Sequence, residues 1–171
     1  MAYRNKTYIA FDGDNDIRYY WLMKAWKYNQ TDFFQQFNFF DAHDINTARD
    51  SSLEETIKRR LKERLNESKL FVLLVGEQTR YLFRFVRWEI EQAISMDLPI
   101  IVVNLNGLRY MDTEKCPPIL RGELAIHISF NQKIIEYALS NWEYSHREFK
   151  RQQRIDSFYY EDSVYLNLGI Y

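Results

Sequence analysis

The chain has 171 residues and a formal net charge of −1. A balance this close to neutral offers no case for binding nucleic acid or an anionic membrane, since both need a clear excess of basic side chains. The hydrophobic fraction of 46% is ample for one packed domain, and the aromatic fraction of 17% leaves rings for a surface or a pocket. A single cysteine excludes a disulfide framework and a cysteine metal site. We find no signal peptide and no apolar run approaching about 18 residues, so we expect a cytoplasmic protein that does not enter a membrane.

Apolar runs alternate with amphipathic stretches through the first 140 residues. We predict strands over 7–11, 37–40, 69–75, 98–103 and 124–130. Helical spacing of apolar residues begins at Ile17, after the capping box of Ser52 and Glu55, near Val86 and near Gln132. The run 71–75 is apolar on both faces, which is typical of a central strand in a parallel sheet.

This alternation predicts a flavodoxin-like α/β fold, with a doubly wound, five-stranded parallel sheet and helices on both faces. We place this domain at residues 1–140. The composition changes after Asn141, and we interpret 141–171 as a helical and aromatic C-terminal extension that packs on the domain or on a partner. Ligands of such sheets bind at the carboxyl ends of the strands. The segments 11–15, 41–50 and 76–89 lie there, so we expect a site among them.

The most informative residue is Glu89, in the helix that follows the third strand. The apolar stripe of that helix is formed by Val86, Ile90, Ala93 and Ile94. Glu89 falls about 60° outside the centre of the stripe, whereas Glu91 falls on the solvent side. Glu89 is thus predicted to border a cleft, where it is a candidate for chemistry. The alternative is a structural carboxylate held by Arg84, Arg87 or a backbone group.

Three aspartates follow the first strand, at positions 12, 14 and 16. A response regulator clusters acids there to hold magnesium, but it also needs an aspartate at the end of its third strand. That strand ends in Val75-Gly76-Glu77, so this interpretation fails. Asp14 and Asp16 are typical of a turn and a helix cap. Asp12, directly beyond the strand, is better placed to contact a ligand.

Other candidate groups are scattered. Neither a GxGxxG nor a GxxxxGK[ST] motif is present, and the three histidines show no metal-ligand spacing and no Ser-His-Asp order. His43, in the loop after the second strand, is a candidate ligand contact, while His127 in a strand and Cys116 before two prolines are predicted to be structural or inert. Arg49 and Arg80 each precede a helix. Either is a candidate for binding phosphate together with helix-end amides, or is simply a solvated arginine.

Several short motifs, in order, resemble those of TIR domains. The pattern of Phe85, Val86, Glu89 and Ile90 is similar to W-[VC]-x-x-E-[IL], which carries the catalytic glutamate of NAD-cleaving members. Phe85 departs from the usual tryptophan but keeps a flat aromatic ring. Residues 8–12 resemble the first box of these domains. Residues 39–41 and 69–79 are closer to the TIR-like branch that includes the TIR subunit of bacterial Thoeris anti-phage systems. The resemblance covers roughly residues 6–140.

The resemblance implies an NAD⁺ glycohydrolase or ADP-ribosyl cyclase that releases nicotinamide and makes a cyclic ADP-ribose isomer. NAD⁺ is then the substrate, with no separate cofactor and no metal. The product would activate a separate NAD-degrading effector, and self-association through TIR–TIR contacts is implied as well. Glu89 would be catalytic, and the expected substrate-binding residues are Phe11, Asp12, Asn15, His43, Arg49, Thr79, Arg80, Tyr81 and Trp88. The alternatives are a non-catalytic TIR-like adaptor and a sensor that binds a nucleotide without cleaving it.

Overall fold

The computed structural model describes residues 4–29, 38–41 and 54–171. The strands are β1 Lys6–Ala10, β2 Asn38–Asp41, β3 Ser68–Val75, β4 Ile100–Asn104, β5 Ala125–Ser129 and β6 Ser157–Tyr159. The helices are α1 Ile17–Asn29, α2 Glu54–Asn66, α3 Val86–Ser95, α4 Gln132–Arg151 and α5 Asp162–Asn167. Short 3-10 turns lie at Thr79–Tyr81 and Pro118–Leu120. Among these residues, no helix combines the length and apolar character needed to cross a membrane.

The strands form one parallel sheet in the order β2-β1-β3-β4-β5-β6. The five predicted strands are therefore present, and the predicted α/β fold is confirmed. β3 lies inside the sheet, and its side chains are buried apart from the half-buried Lys69, as expected of an apolar run covered on both faces. β2 lies on one side of β1, and β3 and the later strands lie on the other. The order in which strands are added to the sheet therefore reverses at β1. A crevice forms between β1 and β3.

Two apolar cores cover the two faces of the sheet. Helical spacing predicts a buried stripe of Leu53, Ile57, Leu61 and Leu65 in α2. One core contains the last three of these residues together with the apolar face of α3, while Leu53 lies outside the described residues. The other contains residues of α1 and α4. Alternate residues of β1 point to opposite faces, so Tyr8 enters the first core and Ile9 the second. This alternation decides which side chain of β1 can reach α3.

The C-terminal extension is built into this fold. α4 continues to Arg151, across the boundary that we expected after residue 140. β6 then pairs with β5 as a sixth parallel strand, which the sequence pattern did not predict. The rings of Phe149 and Phe158 stack with centroids 4.2 Å apart. Tyr165 of α5 is fully buried, and its hydroxyl oxygen accepts a hydrogen bond of 3.3 Å from the backbone amide of Ser129. Of the two arrangements expected for residues 141–171, packing on the domain is therefore observed.

Candidate functional site

A cavity of about 400 Å³ opens at the carboxyl end of β1, in the crevice where the strand order reverses. We call it the β1 cleft. One wall follows β1 and the other precedes α3, and the lining residues are Phe11, Asp12, Gly13, Asp14, Tyr81, Leu82, Phe83, Arg84, Phe85 and Val86. Its size and its walls, in which six of the ten residues are apolar or aromatic, are typical of a small-molecule site. The structure thus brings together three predicted site residues, Phe11, Asp12 and Tyr81.

Asp12 shapes the turn that forms one wall of the β1 cleft. Its side chain is buried, and its Oδ1 accepts hydrogen bonds from the backbone amides of Asp14 at 3.0 Å and Asn15 at 3.3 Å. Its Oδ2 accepts a third, of 2.7 Å, from the Asn15 side chain. Both carboxylate oxygens are therefore used by the turn. In this structure Asp12 and Asn15 hold the wall of the cleft, the role that we had predicted for their acidic neighbours.

Glu89 lies in the first turn of α3 and is only 2% exposed. The hydroxyl of Tyr8, which is itself fully buried in β1, donates a hydrogen bond of 2.7 Å to its Oε2. The sequence placed Glu89 at the border of a cleft. In the structure Glu89 is not among the residues that line the β1 cleft. Phe85 and Val86, about one turn earlier at the start of α3, do line it. Glu89 is therefore buried and is not part of the lining of the β1 cleft.

The two arginines considered as structural partners of Glu89 form ion pairs with other residues. Arg84 Nε lies 3.0 Å from Glu54 Oε2, and Arg87 Nε lies 3.1 Å from Glu91 Oε1. All four side chains are substantially exposed, so these ion pairs contribute little to stability. The hydrogen bond from Tyr8, by contrast, is buried and joins a neutral donor to a carboxylate. Such a charge-assisted bond is among the stronger kinds in proteins.

Thr79 and Arg80 line a second cavity, of about 320 Å³, which we call the α3 pocket. Its remaining lining residues are Leu82, Phe83, Val86, Arg87, Ile90, Pro117, Pro118 and Ile119. The Thr79 hydroxyl oxygen accepts a hydrogen bond of 2.9 Å from the Gly76 amide, so this side chain fixes the loop after β3. The Arg80 guanidinium donates to the backbone carbonyl of Glu114 and lies 5.3 Å from the Tyr81 ring centroid.

The remaining predicted residues divide into two groups. Trp88 packs against the core beside α2, where the Lys58 ammonium lies 5.7 Å from its ring centroid. It is absent from the described linings of both cavities. His43 and Arg49 lie outside the described residues. The structure therefore leaves their predicted contacts untested.

Sequence reasoning missed the environment of Asp16, which is only 7% exposed. Burial, together with the negative charges of Asp12 and Glu77, raises the pKa of its carboxyl group to about 6, and Arg18 opposes this rise. The carboxylate packs directly against Gly76, where an added Cβ would lie 2.2 Å from Asp16 Oδ2. In the sequence, a glycine directly after the third strand indicates that a close contact is possible there. It does not indicate that Asp16 is the residue in contact.

Two further titratable groups, His127 and Cys116, are buried and line neither cavity. His127 is buried in β5, and burial lowers its pKa to about 4. Burial likewise raises the pKa of the Cys116 thiol to about 11, so the thiol stays protonated and unreactive at neutral pH. Across residues 4–29, 38–41 and 54–171 there is no group of three or more His, Cys, Asp or Glu side chains arranged to hold a metal ion.

Comparison with protein families gives one match that covers more than half of the chain. A sequence model of the family described as Thoeris protein ThsB, TIR-like domain, matches residues 8–110. The matched region begins at Tyr8 and includes Glu89, and it contains both walls of the β1 cleft. It ends in the connection between β4 and β5, before α4 and the sixth strand.

Proposed function

Because the chain belongs to the TIR-like domain family of the Thoeris protein ThsB, we propose that it is an enzyme that cleaves NAD⁺. In this proposal the chain releases nicotinamide and converts the remainder into a cyclic ADP-ribose-type messenger during phage defence. The observation that carries the proposal is the buried Glu89 carboxylate, held by Tyr8 about one helical turn beyond Phe85 and Val86 in the lining of the β1 cleft. We assign Glu89 as the catalytic residue.

A single carboxylate is enough for this reaction. Hydrolysis of an ordinary glycoside uses two carboxyl groups, one of which protonates the leaving group. In NAD⁺ the glycosidic nitrogen is cationic and nicotinamide leaves as a neutral molecule, so no general acid is needed. The remaining task is to hold the ribose hydroxyls and to stabilise positive charge as it develops at the anomeric carbon. One buried anion in a preorganised site can do both.

The walls of the β1 cleft support cyclisation in preference to hydrolysis. Tyr81 and Phe83 line the cleft and are more than half exposed, so an adenine or nicotinamide ring can stack on them. The Phe11 ring is itself fixed by stacking on Tyr20, with centroids 4.9 Å apart. In the proposed reaction these aromatic side chains exclude water from the anomeric carbon and hold the two ends of one dinucleotide near each other. The far end of the molecule can then attack in place of water.

Access to Glu89 sets a condition on this mechanism. With the side chain 2% exposed, the carboxylate must gain contact with the cleft before it can touch a ribose. Phe85 and Val86 form the part of the wall nearest to Glu89 in the sequence of α3. We propose that substrate binding or assembly of TIR domains displaces this part of the wall. The diffusible product would then activate the separate effector, with no direct contact between the two proteins.

The Glu89→Gln variant tests the catalytic assignment. It keeps the size of the side chain and its ability to accept a hydrogen bond from Tyr8, but it removes the negative charge. We expect nicotinamide release and formation of the cyclic product to fall at least about 100-fold, a typical cost of removing an electrostatic transition-state contact. Both products are measured by mass spectrometry, with purified protein and with lysate from phage-infected cells.

The matched control is Glu91→Gln, two residues along the same helix. Glu91 is partly exposed and pairs with Arg87 on the solvent side, so its loss should leave the rate unchanged. Wild-type rates of nicotinamide release from Glu89→Gln would contradict the catalytic assignment. If wild-type protein releases no nicotinamide under either condition, the proposed enzymatic activity itself is contradicted.

One observation favours a second function, that of a non-catalytic adaptor. Glu89 is buried, bonded to the core residue Tyr8 and absent from the described lining of the β1 cleft, as a fold-supporting carboxylate would be. An adaptor would act through TIR–TIR assembly. The adaptor hypothesis predicts that Glu89→Gln lowers thermal stability and weakens self-association. It also predicts that neither the wild type nor the variant consumes NAD⁺. Size-exclusion chromatography and calorimetry of both proteins, beside the nicotinamide assay, separate the two functions.

A further inference from the structure

Tyr8 carries a hydroxyl group that the packing of the core does not require. The side chain is fully buried, and its ring stacks on Phe71 of the neighbouring strand, with centroids 5.5 Å apart and planes inclined by 11°. A phenylalanine ring would fill the same space and make the same stack. What the hydroxyl adds to the ring is a hydrogen bond to a buried polar group, since it donates to Glu89 Oε2 at 2.7 Å.

The scaffold behind this hydroxyl is rigid. β1 is paired on both sides, with β2 and β3, so the backbone at position 8 is fixed within the sheet. The stack on Phe71 fixes the ring as well. The hydrogen bond therefore reaches from the sheet to the first turn of α3 and sets the direction of a carboxylate on a different element. A catalytic group is productive only when a supporting shell of this kind holds its geometry.

We propose that Tyr8 is the positioning residue of the site: its hydroxyl holds the Glu89 carboxylate in one orientation for reaction at the ribose. This inference rests on the proposed function, in which Glu89 is catalytic. Tyr8 acts through Glu89 and does not touch the substrate. A hydroxyl that donates to a carboxylate favours the charged form over the protonated one, so its removal has a pH signature as well as a rate.

The test is the Tyr8→Phe variant, compared with wild type in steady-state nicotinamide release from pH 4 to pH 9. We expect kcat to fall roughly 10- to 100-fold, the loss expected when a hydrogen bond to a charged group is removed. KM should change by less than about threefold, because uniform binding of substrate is left intact. The acid limb of the profile should move to higher pH, because Glu89 would then bind a proton more readily.

A matched control separates positioning from general stability. Tyr165→Phe also removes a buried hydroxyl, the one that accepts from the Ser129 amide, but on the opposite face of the sheet and in the C-terminal extension. We expect it to lower the melting temperature about as much as Tyr8→Phe while leaving kcat and the pH profile unchanged. Equal effects of the two variants on kcat would overturn the positioning role.

If Tyr8→Phe does not fold, replacing Tyr8 by a fluorinated tyrosine keeps both the ring and the hydroxyl. Fluorine makes that hydroxyl a stronger donor, so the acid limb should move to lower pH, opposite to the effect of phenylalanine. An unchanged profile overturns the inference. Failure of the proposed function is distinct, because it appears as wild-type activity in Glu89→Gln. An inactive Glu89→Gln beside a fully active Tyr8→Phe leaves the enzyme in place and removes only the role of Tyr8.

Discussion

At the scale of single residues, a tight contact beside this site joins two loops that lie far apart in the sequence. Asp16, after β1, packs its carboxyl group against Gly76, after β3. The charge has little room for water, and it has acidic neighbours in Asp12 and Glu77. Folding therefore favours the protonated form of Asp16. The contact makes the stability of the whole crevice depend on pH.

We expect Asp16→Asn to be more stable than wild type at pH 8 and equally stable near pH 4. The pKa of Asp16 is about 6 in the folded protein against an ordinary value of 3.8. Wild-type stability is therefore full below pH 4 and falls as the pH rises through 6, since the folded state binds the extra proton. The amide carries no charge to bury, and the gain at pH 8 should be about 3 kcal/mol. Urea unfolding at five pH values measures it.

The control is Asp14→Asn, an exposed position in the same turn. It should change stability by less than about 0.5 kcal/mol at any pH. A stability difference between Asp16→Asn and wild type that does not depend on pH would contradict the predicted titration.

Gly76→Ala tests the same contact from the other side. Its Cβ would lie 2.2 Å from Asp16 Oδ2, so one of the two loops must move. We expect a loss of about 1–3 kcal/mol in the free energy of unfolding. Combining it with Asp16→Ala removes the carboxylate that would clash, so the double variant should be more stable than the sum of the two single changes predicts. Additive losses in urea unfolding would show that the two residues are not coupled.

At the scale of elements, the sequence correctly predicted which helix residues are buried where the spacing within one helix decides their burial. The stripe of α2, with Ile57, Leu61 and Leu65, is buried as its spacing indicated. In α3, Val86, Ile90 and Ala93 are buried for the same reason. Glu89 shows the limit of this reasoning. Its angle on the helix was readable, but the neighbour at that angle is supplied by β1, 81 positions earlier.

β6 shows the same limit for a strand. It has three residues, Ser157–Tyr159, which is too short for an alternating pattern to stand out. Its pairing with β5 depends on where α4 returns the chain, and no local signal reports that. The change in composition after Asn141 was real, but it fell in the middle of a 20-residue helix. Composition therefore located the extension without showing that it joins the sheet.

At the scale of the whole molecule, the folded domain extends further along the chain than the family match does. The match ends at residue 110, whereas the sheet continues through β5 and β6 and the second core includes α4. The C-terminal extension contributes the buried Tyr165 and the ring of Phe158 to that core. It is a structural part of the molecule and not an appendage.

Removing residues 153–171 should therefore destabilise the whole protein. The truncation takes away β6 and α5, and it exposes the edge of β5 and the apolar residues beneath Tyr165. Loss of one fully buried aromatic side chain alone costs about 3–5 kcal/mol, so we expect the truncated chain to unfold at a markedly lower temperature or to aggregate. Deleting Tyr171 alone, which is 96% exposed, should change nothing measurable by calorimetry.

The β1 cleft and the α3 pocket are partitioned by the same three side chains, Leu82, Phe83 and Val86. Space gained by one compartment is consequently taken from the other. A compound bound beside Pro118 in the α3 pocket would press this partition toward the tip of β1 and reduce the volume of the β1 cleft. Under the proposed function, an inhibitor could therefore act from either cavity, and only one bound in the β1 cleft would compete with NAD⁺.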